Sequence, residues 1–136
     1  MIDEIGRIRE LTTPVLLHTA SRANQDINAA EVEITSGNQY TATVDEYVYV
    51  EVLANTINTT GTPAKISIRV VINDGNANEA SYDKEVEMGS ALTRIRWLSN
   101  KTYKMDATDV MSVFIYSDDA ADTTANISCN IFKATA

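Results

Sequence analysis

The chain has little of what enzymes and metalloproteins commonly use for chemistry. It contains one histidine and one cysteine in 136 residues, so no intrachain disulfide can form and a zinc site would need additional carboxylate ligands. His18 has no Gly-x-Ser-x-Gly segment to accompany it, and the sequence contains no glycine-rich phosphate loop. We therefore expect a protein that is not an enzyme and that uses no cofactor.

Basic charge and long apolar runs are also scarce. Eleven basic residues face nineteen acidic ones, which gives a formal net charge of −8. Nucleic acids and anionic membranes attract clustered lysine and arginine, so we expect neither as a partner. The first seven residues do not resemble a signal peptide, and no apolar run reaches transmembrane length. These features predict synthesis in a cytoplasm.

What the chain does contain is an alternation of polar and apolar residues with a period of two. In the range 65–72 four apolar side chains fall on one side: Ile66, Ile68, Val70 and Ile72. Only an extended backbone places every second side chain on one face, so the pattern predicts a half-buried β-strand.

The same alternation recurs along the chain, with turn-forming residues between the segments. It predicts an all-β fold, an antiparallel β-sandwich or jelly roll of about eight strands. The extended segments are expected near 15–20, 31–35, 40–44, 47–57, 65–72, 82–88, 92–98, 110–116 and 124–132. Residues 21–28 are expected to form a loop, and residues 100–109 a loop that contains a short segment around Tyr103 and Met105. Further core faces are predicted at Val48, Val50 and Val52, and at Ala125, Ile127, Cys129 and Ile131.

The first twelve residues follow a different pattern. Apolar residues recur there at every third position: Ile2, Ile5, Ile8 and Leu11. This spacing predicts a short helical arm at 1–12, ahead of a sandwich domain at 13–136, and Pro14 would keep the helix from continuing. Such a short helix is marginal alone in water. It must therefore pack either on its own sandwich or on a neighbouring subunit, and the sequence leaves both open.

Two pairs of side chains are candidates for binding a partner. Tyr47 and Tyr49 face away from the predicted core, where an exposed pair of aromatic rings suits sugar stacking or a subunit interface. Arg94 and Arg96 share one face of another strand, which predicts an ion-pair contact within the chain or with a partner.

Two acidic turns raise the question of calcium. The first has oxygen-bearing residues at a spacing typical of a calcium loop: Asp74, Asn76, Asn78 and Glu85. However, Glu79 occupies the position where such a loop needs glycine, and residues 82–86 read as strand. We therefore interpret it as an ordinary polar hairpin, and the acidic turn at 118–122 in the same way.

The segment Leu98–Val113 resembles the last strands of C1q/TNF-like and viral fibre-head jelly rolls. In those families an Asp ends a tight turn before the penultimate strand, and Asp109 takes that place here, with Thr108 where the family usually has glycine. Residues 119–127 resemble strand ends in decoration, fibre and baseplate proteins of tailed phages. The resemblance covers the last third of the chain and implies a trimer-prone virion module rather than an activity.

Together these features predict a non-enzymatic virion structural protein of a tailed phage, such as a capsid decoration, collar or tail/fibre component. We expect a homo-oligomer, a trimer, that contacts other virion proteins through its sandwich and through the arm residues Ile2, Ile5, Ile8 and Leu11. The alternative is a carbohydrate-binding β-sandwich module that holds a glycan on Tyr47 or Tyr49.

Overall fold

A computed structural model of the chain describes residues 14–28, 30–55, 64–88, 94–118 and 124–134. The predicted arm at 1–12 and its four docking residues lie outside these ranges. Within them the chain forms ten β-strands and no helix, and hence no helix that could cross a membrane. The strands are β1 Val15–Asp26, β2 Val32–Glu33, β3 Tyr40–Thr41, β4 Glu46–Asn55, β5 Ala64–Ile72, β6 Ala80–Met88, β7 Arg94–Leu98, β8 Tyr103–Met105, β9 Val110–Ser117 and β10 Thr124–Lys133.

The strands form two antiparallel sheets of five strands each. Sheet A has the order β1-β10-β4-β7, with β8 also paired to β4; sheet B has the order β2-β9-β5-β6, with β3 also paired to β9. One edge of sheet A is thus shared by β7 and β8, and one edge of sheet B by β2 and β3. When β2 and β3 are counted as one edge strand, and β7 and β8 as another, each connection along the chain crosses from one sheet to the other, except the connection from β5 to β6. This is the strand order of a jelly roll, and the predicted all-β sandwich is confirmed.

The core lies between the sheets, and on β4, β5 and β10 it consists of the alternate side chains that the sequence pattern predicted. Side chains that are essentially inaccessible to solvent come from the central strands of both sheets: Val48, Val50, Val52, Ile66, Ile68, Val70, Met111, Val113, Ile115, Ile127, Cys129 and Ile131. Burying one such aliphatic side chain contributes about 1.5–3 kcal/mol. The central strands therefore hold the two sheets together, and their outer faces are free to carry function.

The predicted loop at 21–28 was wrong for its first six residues. Strand β1 continues to Asp26, which pairs with Thr124 of β10, and the ladder contains irregularities after Leu16 and after Arg22. Asn24 lies in one of these irregularities with a φ of 52°. Because β1 is an edge strand with an exposed outer face, its second half needs few apolar side chains. The polar residues 21–26 therefore form a strand that the alternation of apolar and polar residues does not predict.

The two lateral sides of the sandwich differ. On one side β1 of sheet A is joined to the β2–β3 region of sheet B, where His18 Nε2 lies 2.7 Å from the carbonyl oxygen of Asn38 and Arg22 donates to the carbonyl of Glu33 at 3.2 Å. On the other side the rings of Tyr82 and Tyr103 lie 5.1 Å apart across the gap between the sheets. The first side is therefore closed by polar contacts and the second by aromatic ones.

Candidate assembly surface

The outer face of sheet A brings together four of the residues singled out from the sequence. Strand β4 presents Tyr47 and Tyr49 on this face. Strand β7 presents Arg96 opposite Leu53 and Arg94 opposite Asn55. The tyrosines and the arginines therefore share one surface but lie at opposite ends of it.

The tyrosine end of this face forms an apolar strip of four side chains. Phe132 of β10 pairs with Leu16 of β1 on one side and with Tyr49 of β4 on the other, and Tyr47 follows along β4. The rings of Tyr49 and Phe132 are stacked, with centroids 5.1 Å apart and planes 15° apart. Leu16 and Tyr47 are each 53% exposed. We call these four residues the apolar strip.

The surroundings of the apolar strip extend its apolar character. Leu98 of β7, opposite Glu51 on the same face, is also a large apolar side chain and is 45% exposed. Single exposed apolar residues are ordinary on soluble proteins, but a contiguous group of aromatic and aliphatic side chains marks a surface that binds something. Tyrosine and phenylalanine are enriched at the cores of protein interfaces.

The arginine end of the face is charged, and the carboxylate of Glu51 at its centre has two hydrogen-bond donors. Glu51 is 8% exposed and accepts hydrogen bonds from Arg96 Nε at 2.5 Å and from Asn130 Nδ2 at 2.9 Å. The ion pair predicted for this pair of arginines therefore forms within the chain at Arg96. Arg94 is exposed, and the described residues provide it with no ion pair.

The outer face of sheet B carries a second feature that the sequence did not reveal. Arg69 donates two hydrogen bonds to Glu31, at 3.0 and 2.6 Å, and its guanidinium lies 4.3 Å from the centre of the Phe114 ring. The bonds to Glu31 raise the pKa of Arg69 further above its ordinary value. The alternation correctly placed Arg69 on the outer face, but the partner comes from a segment 38 residues away. Periodicity carries no information about such a contact.

A groove of about 840 Å³ runs beside Arg69 and Glu31. Its remaining lining residues are polar, charged or aromatic: Ser67, Asp83, Lys84 and Tyr116. The two acidic and two basic side chains balance in charge, and Arg69 is already held by Glu31. The groove therefore has the character of a polar surface channel without a charge that would select a ligand.

The first acidic turn is used by the chain itself. The amide of Gly75, with a φ of 80°, donates to Glu79 Oε1 at 2.8 Å, so the residue in place of the calcium-loop glycine ties the turn together. Among the described residues, no three His, Cys, Asp or Glu side chains are grouped as a metal site would require. The turn has the geometry of the ordinary polar hairpin that we expected. Most of the acidic turn at 118–122 lies outside the described residues.

The turn before β9 agrees with the resemblance to jelly-roll proteins. Asp109 ends this turn directly before the penultimate strand, and its two carboxylate oxygens accept hydrogen bonds of 2.9 Å from the Asn73 side chain and from the Asp106 amide. These bonds lower the pKa of Asp109. Thr108 has a φ of 77°, a value that favours glycine, the residue usual at this position in the resembling families.

Comparison with known proteins gives a fold relationship. No family model matches the chain, and no curated protein matches it. One solved structure that matches is that of the infectious bursal disease virus Gx strain, with 13% sequence identity and a TM-score of 0.51. The match covers 88% of this chain and 32% of that one, so the chain spans about a third of its neighbour's length. The neighbour is a viral capsid protein and not a tailed-phage protein. At 13% identity the similarity is one of fold.

Proposed function

We propose that this chain is a non-enzymatic structural protein of a virion that assembles through its β-sandwich and its N-terminal arm. The observation that carries the proposal is the apolar strip on the outer face of sheet A. The fold similarity to a viral capsid protein supports the virion setting.

Physical considerations favour specific contacts between copies at this strip. A formal charge of −8 makes copies of the chain repel one another at a distance. Association then requires a local gain, and burying apolar surface supplies roughly 25 cal/mol per Å² removed from water. Leu16 and Tyr47, each 53% exposed, have the most surface left to bury. Stacked aromatic rings such as Tyr49 and Phe132 also present a rigid contact that loses little side-chain entropy on binding.

We also propose that the virion is that of a tailed phage and that the chain assembles as a trimer. Residues 98–113 resemble C1q/TNF-like and viral fibre-head jelly rolls, and this resemblance supports a trimer as the assembled form. Residues 119–127 resemble segments of tailed-phage virion proteins, which supports a tailed phage as the source. Other virion proteins would be the further partners. A capsid decoration, collar or tail/fibre position would each use such a module.

The oligomeric mass of the full chain tests the proposal. We expect light scattering to give a multiple of the 14.9 kDa chain mass, and Tyr47→Asp to reduce it by placing a charge in the interface. Ser81→Asp is the matched control, because Ser81 is exposed on β6 of the other sheet. A mass that remains that of one chain at high concentration would contradict the proposed assembly.

Carbohydrate binding is the second candidate, and the exposure of Tyr47 beside the stacked rings of Tyr49 and Phe132 is the observation in its favour. Aromatic faces of this kind bind the apolar faces of sugars. A glycan array would show binding that is lost in Tyr47→Ala and retained in Tyr116→Ala, a change in the groove of sheet B. Absence of binding to any glycan would remove this candidate.

A further inference from the structure

We infer that the apolar strip of one copy is the docking site for the apolar side of residues 2–11 of a second copy. This inference rests on the proposed assembly function, and it names the surface and the segment that would make the contact. The segment is the part of the chain that precedes β1.

The dimensions of the two partners agree. Leu16, Phe132 and Tyr49 lie on three adjacent strands, so their row extends about 10 Å at roughly 4.8 Å per strand. Tyr47 adds about 7 Å along β4. In the predicted helix the apolar residues Ile2 to Leu11 would span about 14 Å at 1.5 Å per residue. A stripe of this length covers the strip in a single pass.

The charges also agree. Lys104 pairs with Tyr47 across the strand, and its side chain is 64% exposed. Its ammonium group lies 3.9 Å from the exposed carboxylate of Asp106 and remains open to solvent. Asp3 and Glu4 lie near the start of the segment, so an acidic side chain of the docked segment would meet Lys104 beside the apolar centre. Such an arrangement fixes the orientation of the docked segment.

The connection to β1 favours a second copy over the same chain. The segment ends next to Leu16, so docking on its own strip would require the chain to reverse over its own sheet within residues 12–14. These are Thr12, Thr13 and Pro14, and the two β-branched threonines favour extended backbone. Proline also disfavours helical backbone at the residue before it. An extended connection of this kind would direct the segment away from its own strip and towards a neighbour.

Cross-linking of full-length variants tests the inference. Isotope-labelled Ile8→Cys chains are mixed with unlabelled Tyr47→Cys chains, treated with a short bis-maleimide and weighed by mass spectrometry. The native thiol does not interfere, because Cys129 is fully buried and burial raises its pKa to about 12. We expect a mixed pair of one labelled and one unlabelled chain, and its loss when Ser81→Cys replaces Tyr47→Cys.

The double variant Ile8→Cys/Tyr47→Cys separates the two possible origins of the segment. A cross-link within single chains of the double variant, with no mixed pair, would overturn the inference in favour of docking on the same molecule. Absence of both products would overturn it as well. If the full chain is still an oligomer and Tyr47→Asp dissociates it, the proposed assembly stands without this docking contact. If the full chain has the mass of a single chain, the result contradicts both the proposed assembly and the docking contact.

Discussion

The hydroxyl of Thr35 accepts a hydrogen bond of 3.1 Å from the buried amide of Val113, at the point where the edge of sheet B passes from β2 to β3. Sheet A repeats this arrangement at its own divided edge, where Ser99 Oγ accepts from the amide of Val50 at 3.0 Å. In both sheets a hydroxyl takes the place of the backbone carbonyl that an unbroken edge strand would provide. Buried amides beside the breaks are thereby satisfied.

Removing either hydroxyl should destabilise the sandwich. We expect Ser99→Ala and Thr35→Val each to lower the free energy of unfolding by about 1–3 kcal/mol, the cost of leaving a buried amide unpaired. Denaturant unfolding measures the effect. Thr41→Val, at an exposed position of β3, serves as the control and should change stability by less than about 0.5 kcal/mol. Equal effects at all three positions would show that the hydroxyls have no special role.

Replacing Thr108 by glycine should stabilise the protein. At a φ of 77° a β-branched side chain is strained by about 1–2 kcal/mol, which glycine avoids. Glycine also makes the unfolded chain more flexible, so we expect a net gain of about 0.5–1 kcal/mol. Thr102→Gly, outside the left-handed region, should instead destabilise. A loss of stability in both variants would mean that Thr108 is not strained.

The protein should lose stability in the alkaline range. Burial raises the pKa of Tyr103 to about 12, and burial with the hydrogen bond to Glu46 does the same for Tyr40. An unfolded tyrosine titrates near pH 10. The folded state thus holds these protons more tightly, so their stabilising contribution is complete below about pH 10 and is lost as the pH rises towards 12.

The variant Tyr103→Phe tests this pH dependence. Because it removes a titrating group, the decline of the unfolding free energy above pH 10 should become less steep, with about 1.4 kcal/mol at stake per unit of pKa shift. A profile that Tyr103→Phe does not change would assign the alkaline loss to other groups.

The two arginines of β7 should contribute unequally to stability. Arg96→Ala removes one of the two hydrogen-bond donors to Glu51, whose side chain is 11% exposed, and we expect a loss of about 1 kcal/mol because the arginine itself is largely solvated. Arg94→Ala should cost less than about 0.5 kcal/mol. Thermal unfolding of both variants gives the comparison, and equal losses would contradict the assigned role of Glu51.

Periodicity predicted the features that depend on a single strand, namely which of its two faces is buried. The inward faces of β4, β5 and β10 follow from the alternation of Val50, Ile68 and Cys129 with polar neighbours, since a period of two fixes the buried face whatever the partner strand is. The outward position of Tyr47 and Tyr49 followed from the same rule.

What periodicity could not predict is which strands lie side by side. The apolar strip needs Leu16 and Phe132 beside Tyr49, and these three residues meet because β10 lies between β1 and β4. The contact of Arg69 with Glu31 was missed for the same reason. The edge strands were difficult to predict for another reason. A short or polar edge strand, such as β2 or the end of β1, buries too little apolar surface to produce an alternation of apolar and polar residues.

The place of β10 in sheet A also has a consequence for synthesis on the ribosome. This strand is the last to be translated, yet it separates β1 from β4 and pairs with both. The nascent chain therefore carries β1 and β4 without their shared neighbour until residues 124–133 have emerged from the ribosome. The complete sheet A, and with it the whole strip on its outer face, can form only at that stage, so neighbouring chains on a polysome cannot associate through the whole strip before residues 124–133 have emerged.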